Sequence, residues 1–174
     1  MSRDYKRAAT IDELKALAHP IRVRILRMCY GAPKTNQELA TQLGLAPGTV
    51  LRHVKILLDS GLLVPEETRP GPRGVTERPY RATGLTWHLS LETGEPELTK
   101  RVELAALEAY RDELVASGPG TTLSRVRIEL RLPADEQREL AARIKSLIED
   151  YRQRETPDGD LVNIFWSMHL QAGD

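Results

Sequence analysis

The segment 35–62, TNQELATQLGLAPGTVLRHVKILLDSGL, constrains the fold more than any other part of the chain. Thr35 and Glu38 have the spacing of a capping box, in which each side chain satisfies a free backbone donor of the other residue. Gly44 suits the left-handed backbone just past a helix end. Pro47 suits the first turn of a second helix, because its missing N–H would be unpaired there. The pattern therefore predicts two short helices joined by a tight turn.

The second of these helices, predicted over residues 47–60, has an apolar and a polar face. Its apolar residues recur at helical spacing and form one inward stripe: Val50, Val54, Leu57 and Leu58. The opposite face carries Gly48, Thr49, Arg52, Lys55 and Asp59. Arginine can bond guanine through two hydrogen bonds, threonine can meet a thymine methyl, and lysine binds phosphates. Since any amphipathic hairpin has a solvated face, the helix pair alone leaves nucleic-acid binding and a plain solvated surface as alternatives.

A basic stretch rich in glycine and proline follows at once, LLVPEETRPGPRGVTERPYRAT. Residues 62–64 and 79–83 are predicted to form two extended arms, with Gly71 and Gly74 in the turn between them. The arginines on or beside the turn are Arg69, Arg73 and Arg78. A basic hairpin directly after such a helix is typical of the wing of a winged helix-turn-helix, which meets phosphates or the minor groove. The alternative is a disordered basic loop.

Residues 10–31 complete the unit on its N-terminal side. Thr10 and Glu13 repeat the capping-box spacing, and Pro20 opens a further helix. The apolar residues of that helix recur at helical spacing: Ile21, Ile25, Met28 and Cys29.

The order LKALAHPIRVRIL, then TNQELATQLGLAPGTVLRHVKILLDSGLL, then the basic hairpin, resembles the ArsR-type winged-helix transcriptional regulators. The resemblance covers about residues 10–83. It implies a homodimer that binds a pseudo-palindromic operator in double-stranded DNA through the recognition helix and the wing. The DNA-binding residues expected on this basis are Gln37, Gly48, Thr49, Arg52, His53, Lys55, Arg69, Arg73 and Arg78.

The chain departs from the family pattern on the recognition helix. Family members often carry Gln and Ser where Pro47 and Gly48 stand, and Ser at the position of Leu51. With fewer side chains for direct base readout, more of the specificity would rest on Arg52, Thr49 and DNA shape. His53 lies at the edge of the buried stripe, which favours a structural hydrogen-bonding role over base readout.

Many regulators of this type sense metals, but this sequence does not predict a metal site. A thiolate sensor needs at least two neighbouring cysteines, and the chain has one, Cys29, on an apolar stripe. A zinc site needs clustered His, Asp and Glu ligands, whereas the four histidines are scattered: His19, His53, His88 and His169. We expect neither a metal nor another cofactor.

The formal net charge of zero conceals two oppositely charged halves. Residues 1–83 contain 14 Lys and Arg against 8 Asp and Glu, and residues 84–174 contain 11 against 17. Affinity for nucleic acid depends on local neutralisation of phosphates, so the basic half is the half expected to bind. One cysteine excludes a disulfide framework, and neither a signal peptide nor an apolar run of about 20 residues is present. We therefore expect a soluble, cytoplasmic protein with no membrane partner.

The sequence of the acidic half predicts a connector, then a long helix, and then a small module that contains both strands and a helix. The helix over 97–117 has two apolar stripes and must pack on two surfaces, either its own domain and a second subunit, or two surfaces of one monomer. Residues 124–132 and 161–170 alternate in the manner of half-buried strands, and a helix is predicted over 134–154. This strand–helix–strand unit has room for only a small core, so we expect it to pair with a second copy or to cover the long helix.

The predicted fold class is α+β, with a winged helix-turn-helix in which helices carry a two-stranded wing, then a long helix and the strand–helix–strand module. The predicted domains are a DNA-binding domain over 1–83, a connector and dimerisation helix over 84–120, and a dimerisation or effector-sensing module over 121–174.

The expected function is sequence-specific DNA binding by a dimeric repressor that occludes a promoter. The alternative is a winged helix that binds RNA or protein. No nucleophile or acid–base set suggests an enzyme. Arg125, Arg127 and Arg131 would suit an acidic effector, but a plain charged strand face is favoured, and the effector site stays unassigned.

Overall fold

The computed structural model describes residues 6–71, 74–156 and 158–171. The chain divides into two compact units, Met1–Gly118 and Pro119–Asp174. The described helices of the first unit are α1 (Ile11–Leu17), α2 (Pro20–Gly31), α3 (Asn36–Leu43), α4 (Pro47–Asp59) and α5 (Pro96–Ser117). Its described strands are β1 (Arg7–Ala8), β2 (Lys34–Thr35), β3 (Leu63–Pro65), β4 (Arg69–Pro70), β5 (Thr76–Glu77), β6 (Pro79–Ala82) and β7 (Leu89–Ser90). The second unit contains α6 (Ala134–Arg152).

The helix boundaries follow the predicted caps. Thr10 and Thr35 each form a complete capping box, with Glu13 and Glu38 respectively. Gly44 ends α3 in the left-handed region at φ 66°, a conformation that costs glycine little because it has no Cβ. The predicted helix pair of residues 35–60 is therefore confirmed.

The core of the first unit lies between helices α1, α2, α3 and α4 and the base of the wing. The fully buried large side chains include Leu14 of α1, Ile25 of α2, Leu39 of α3, and Val54 and Leu57 of α4. Burying an aliphatic side chain of this size is worth about 1.5–3 kcal/mol. These contacts bring α3 and α4 onto one face of α2.

The wing is a larger sheet than the predicted two-stranded hairpin. Strand β6 pairs antiparallel with β3 on one side and with β2 on the other, so the base of the wing is three-stranded. The third strand forms because the extended residues just before α3 run alongside β6. Strands β4 and β5 form a short antiparallel ladder towards the tip. Arg73 lies outside the described residues.

Helix α5 has one buried and one exposed apolar stripe. Val102, Ala105 and Ala109 are buried, and the helix packs on α1 and α2. Two ion pairs link it to α2, from Arg24 to Asp112 at 3.7 Å and from Arg27 to Glu113 at 3.0 Å. The second predicted stripe is exposed and contains Leu104, Leu107 and Leu114.

The two strands predicted in the second unit are not present. Residues 124–132 and 161–170 belong to no strand, and the only regular element in the described part of this unit is α6. Alternation makes a segment suited to a sheet, but a strand also needs a neighbouring edge to receive its backbone hydrogen bonds. No described residue of this unit is buried. The prediction of a strand–helix–strand module is therefore wrong for this single chain, while its helix is confirmed.

None of the helices in the described ranges combines the length and apolar character needed to cross a membrane.

Candidate nucleic-acid interface

Helix α4 presents the predicted polar face to solvent. Gly48, Arg52 and Lys55 are exposed, and Thr49 is half-buried beside them. The Arg52 guanidinium lies 3.5 Å from the Thr49 hydroxyl oxygen through Nη2. These residues share one side of the helix because Val50, Val54 and Leu57 are buried on the other.

The turn before α4 holds its first residues against α3. The Asn36 side-chain Nδ2 donates to the Pro47 carbonyl at 3.0 Å, and the Leu45 backbone N–H donates to the Ala40 carbonyl at 3.0 Å. Ala46 precedes the helix, and no side chain caps this end. Pro47 has no N–H and the Thr49 N–H donates to the Ala46 carbonyl at 2.9 Å, so the Gly48 N–H is the donor of the first turn that can bind a phosphate oxygen. Gln37 is exposed in the first turn of α3.

His53 is half-buried on α4 and packs against His19, with ring centroids 4.6 Å apart and an interplanar angle of 56°. His19 precedes α2, and its Nδ1 accepts the Ile21 backbone N–H at 3.2 Å. The His53 Nδ1 is buried without a hydrogen-bond partner among the described residues. Sequence analysis did not identify His19 as the neighbour of His53, since 33 intervening residues separate them and only packing joins them.

Burial is the main cause that lowers the pKa of both imidazoles. For His19 the Arg22 guanidinium lowers the pKa further, and the Glu108 carboxylate opposes the shift. For His53 the nearby His19, Arg22 and Arg52 add to the effect of burial. A neutral His19 is also required for its Nδ1 to accept the hydrogen bond that caps α2. This placement supports the structural role expected for His53.

The described wing arginines are all exposed, and they differ in whether a carboxylate pairs with them. Arg69 Nη2 lies 2.9 Å from Glu38 Oε1, and its Nε lies 3.8 Å from Glu77 Oε2. Arg81 Nε pairs with Glu66 Oε1 at 2.5 Å. Arg78 is exposed. The sequence gives no local signal of these acidic partners, since Glu38 and Arg69 lie 31 positions apart.

Glu38 serves two purposes. Its Oε2 accepts the Thr35 backbone N–H at 2.6 Å and its Oε1 meets Arg69. The hydrogen bond from Thr35 is the main cause that lowers the pKa of Glu38, and the Arg69 charge lowers it further. The carboxylate therefore joins the start of α3 to the wing.

Cys29 is buried, and this burial raises the pKa of its thiol to about 11. A thiol of this kind is a poor nucleophile and a poor metal ligand at neutral pH. Within the described ranges, no group of three or more His, Cys, Asp or Glu side chains is arranged to hold a metal ion.

Residues 17–66 match a family model described as a helix-turn-helix domain. The match runs from the end of α1 through α4 to the end of β3, which is the part of the chain with the geometry described above. This segment is a helix-turn-helix domain, and the wing that follows makes it a winged one, as predicted. The helix-turn-helix is a DNA-binding motif whose second helix enters the major groove.

Several solved structures are similar to this chain. An ArsR-like transcriptional regulator from Rhodococcus sp. RHA1 is 26% identical, with 61% of this chain and 83% of that chain covered and a TM-score of 0.35. A possible transcriptional regulator for arsenical resistance is 21% identical, with coverage of 63% and 98% and a TM-score of 0.36.

A third similar structure is the homodimeric winged helix-turn-helix DNA-binding domain of a possible ArsR-family transcriptional regulator from Mycobacterium bovis. It is 20% identical, with 62% of this chain and 82% of that chain covered and a TM-score of 0.33. No curated protein matches the sequence.

The His19–His53 pair predicts a loss of stability in mild acid. Because the pKa of each imidazole is lowered in the folded chain, the unfolded chain binds more protons below about pH 6.5. Stability from the neutral pair is therefore fully present above that pH and is lost as the pH falls through the folded pKa values. Denaturant unfolding from pH 7.5 to 5 should show a falling free energy of unfolding, with a smaller slope in His53→Gln.

His88→Gln is the matched control, since His88 has an exposed side chain. An unchanged slope in His53→Gln would contradict the assignment of the acid sensitivity to the pair.

Proposed function

We propose that this protein is a sequence-specific DNA-binding transcriptional regulator of the ArsR type that acts as a homodimeric repressor. The observation that carries the proposal is the exposed polar face of α4, held by a confirmed helix-turn-helix domain and followed by a wing. The B-DNA major groove is about 12 Å wide and accepts a helix of this kind. Repression would follow when the bound dimer occludes a promoter.

Each residue of this face has a proposed task. Arg52 bonds a guanine edge, and Thr49 contacts a thymine methyl or a base edge. Lys55 neutralises a phosphate. Gly48 lets the backbone approach the DNA closely, and Gln37 contacts the DNA beside the start of α4. His53 supports α4 from behind through His19 and positions the neighbouring Arg52.

The wing is proposed to contact phosphates or the minor groove. Arg78 is exposed and pairs with no carboxylate among the described residues, and Arg73 is proposed to act with it. Arg69 is engaged by two carboxylates in the free protein, so it holds the wing against α3 and reaches DNA only if that contact opens.

The exposed stripe of α5 is proposed to meet the same stripe of a second copy. Leu104, Leu107 and Leu114 are 54%, 48% and 43% exposed, and a row of leucines at this spacing forms a continuous apolar surface. A dimer built on it would set two copies of α4 into successive major grooves, with half-sites about 34 Å apart or a multiple of that distance.

The Arg52→Ala variant tests base readout. We expect it to lose discrimination between its operator and unrelated DNA by about 1–3 kcal/mol, because one bidentate contact to guanine is worth that much. Fluorescence anisotropy with the protein's own upstream DNA measures both affinities at a fixed salt concentration.

Arg143→Ala is the control for Arg52→Ala, since Arg143 is exposed on α6 in the second unit. Unaltered specificity in Arg52→Ala would remove Arg52 from base readout. A nuclease footprint separates the main proposal from an RNA- or protein-binding winged helix, because only an operator-binding dimer protects two symmetric half-sites.

The wing arginines are tested by the salt dependence of DNA binding. Removing one phosphate contact reduces the slope of log affinity against log salt by about 0.9, and we expect this for Arg78→Ala. A smaller reduction is expected for Arg69→Ala. Glu38→Gln should increase affinity and slope, because glutamine still completes the capping box while the charge that holds Arg69 is lost.

Equal slope changes in Arg69→Ala and Arg78→Ala would show that Arg69 contacts phosphate in the complex as directly as Arg78.

The α5 surface is tested by Leu107→Glu. A carboxylate in an apolar dimer contact must lose its hydration without a partner, so the dimer dissociation constant should rise at least about tenfold, as measured by sedimentation equilibrium. Val75→Glu makes the same change at an exposed position of the wing and should leave the constant unaltered. A Leu107→Glu protein that dimerises like the parent would place the interface elsewhere.

A further inference from the structure

The segment 124–132, SRVRIELRL, has the sequence pattern of a β-strand but forms no strand in the structure. Its apolar and charged residues alternate without exception from Arg125 to Leu132. Val126, Ile128 and Leu130 are nevertheless 84%, 67% and 57% exposed in the single chain. A half-buried strand pattern with neither a ladder nor burial indicates that its partner is not supplied by the described part of this chain.

The rest of the second unit points the same way. Its helix α6 has an apolar face of which Leu140, Ile144 and Ile148 are half-buried and Leu147 is 57% exposed. Ordering a chain costs conformational entropy at every residue, and burial of apolar surface must offset that cost. A unit without a buried residue therefore needs further apolar surface to cover it.

We propose that residues 124–132 pair with the same residues of a second copy as antiparallel strands, about a two-fold axis at Ile128. The proposal deepens the homodimer of the proposed function and rests on it. It gives the second unit a defined role, which is to close a two-chain sheet in addition to the α5 contact.

Charge complementarity selects a second copy as the occupant. With the axis at Ile128, Arg127 lies opposite the partner's Glu129, and symmetry repeats this ion pair. The other candidate, residues 161–170 of the same chain, carries no Asp, Glu, Lys or Arg. It therefore offers no counter-charge to the arginines, whereas the segment 124–132 contains its own.

The apolar and charged faces together select the register. About Ile128, Val126 meets the partner's Leu130 and Ile128 meets its own copy, so the centre of the ribbon is apolar on one face and oppositely charged on the other. A shift of the axis to Glu129 opposes like charges at every charged pair. A shift to Arg127 keeps an Arg125–Glu129 pair but sets Arg127 against itself at the centre of the ribbon and Leu123 against Arg131. A shift to Leu130 sets Arg127 against Pro133, directly before α6 begins at Ala134. The repulsive contact in the preferred register is Arg125 with the partner's Arg131, which symmetry also repeats. These two pairs lie towards the ends of the ribbon, where solvent screens them, whereas the two attractive pairs flank its centre.

Cysteine cross-linking of the full chain tests the axis. Residues directly opposite in an antiparallel pair have Cβ atoms about 4.5–5.5 Å apart, close enough for a disulfide to form with little movement. Ile128→Cys should therefore give a covalent dimer on mild oxidation, seen on a non-reducing gel. Cys29 is buried, so the parent protein should remain monomeric on that gel.

Arg125→Cys is the matched control. The two copies of residue 125 would be six residues out of register, about 20 Å apart at 3.4 Å per residue, and should not cross-link. Cross-linking at both positions would indicate a parallel, in-register pair, and the absence of a dimer in Ile128→Cys would leave residues 124–132 to another occupant. Either result overturns the proposal.

Charge exchange gives an independent measure that needs no cysteine. In a Leu107→Glu background, which weakens the α5 contact, Glu129→Arg should raise the dimer dissociation constant about fivefold, because two attractive cross-strand pairs become repulsive. Arg127→Glu combined with Glu129→Arg should restore it, and Arg125→Glu should lower it by giving the partner's Arg131 a counter-charge. Equal effects of Glu129→Arg with and without Arg127→Glu would exclude the pairing.

The two proposals fail separately. A protein that binds a two-fold operator through Arg52 but does not cross-link at residue 128 retains its regulatory function and loses only the strand pairing. A protein that cross-links at residue 128 but does not bind an operator retains the strand pairing and loses the proposed regulatory function.

Discussion

The burial of one face of α4 is the constraint on which the remaining geometry depends. Val50, Val54 and Leu57 have no exposed surface, so the helix has a single rotation about its axis in the domain. Rotating it would expose these side chains and cost the free energy of their burial, about 1.5–3 kcal/mol for each. The same packing turns Arg52 and Lys55 outward.

The basic character of the first half is partly used within the fold. Arg22 binds the carbonyls of Lys15 and Ala16 at the end of α1 at 2.6 and 2.5 Å. Arg7 donates hydrogen bonds to the buried Glu13 carboxylate. These hydrogen bonds are the main reason that the pKa of Glu13 is lowered to about 2. The pairs of α2 with α5 and of Arg69 with Glu38 add to this internal use. Several cations of the first half are therefore engaged within the fold, while Arg52 and Lys55 of α4 and Arg78 of the wing are exposed.

Predictions from the sequence succeeded where the signal was local. A capping box needs two residues three positions apart, and both predicted boxes formed. Predictions were less complete where the contacts of a residue depended on another residue far away in the sequence. His53 acquired its partner His19, and Arg69 its partner Glu38, from packing between elements that are far apart in the chain. The prediction of strands in the second unit was wrong for the same reason. Alternation shows that a segment has one apolar and one polar face, but a strand also needs a second backbone to receive its hydrogen bonds.

The sequence by itself determined the helix-turn-helix, its caps, the basic wing and the polar face of α4, because helix ends and apolar periodicity are properties of residues within one or two turns of each other. Only the tertiary structure decided which cations are paired within the fold, which histidine packs against His53 of α4, and which stripe of α5 is buried. These outcomes depend on which side chains meet across the core, and the energy of such contacts is set by distance and burial in three dimensions.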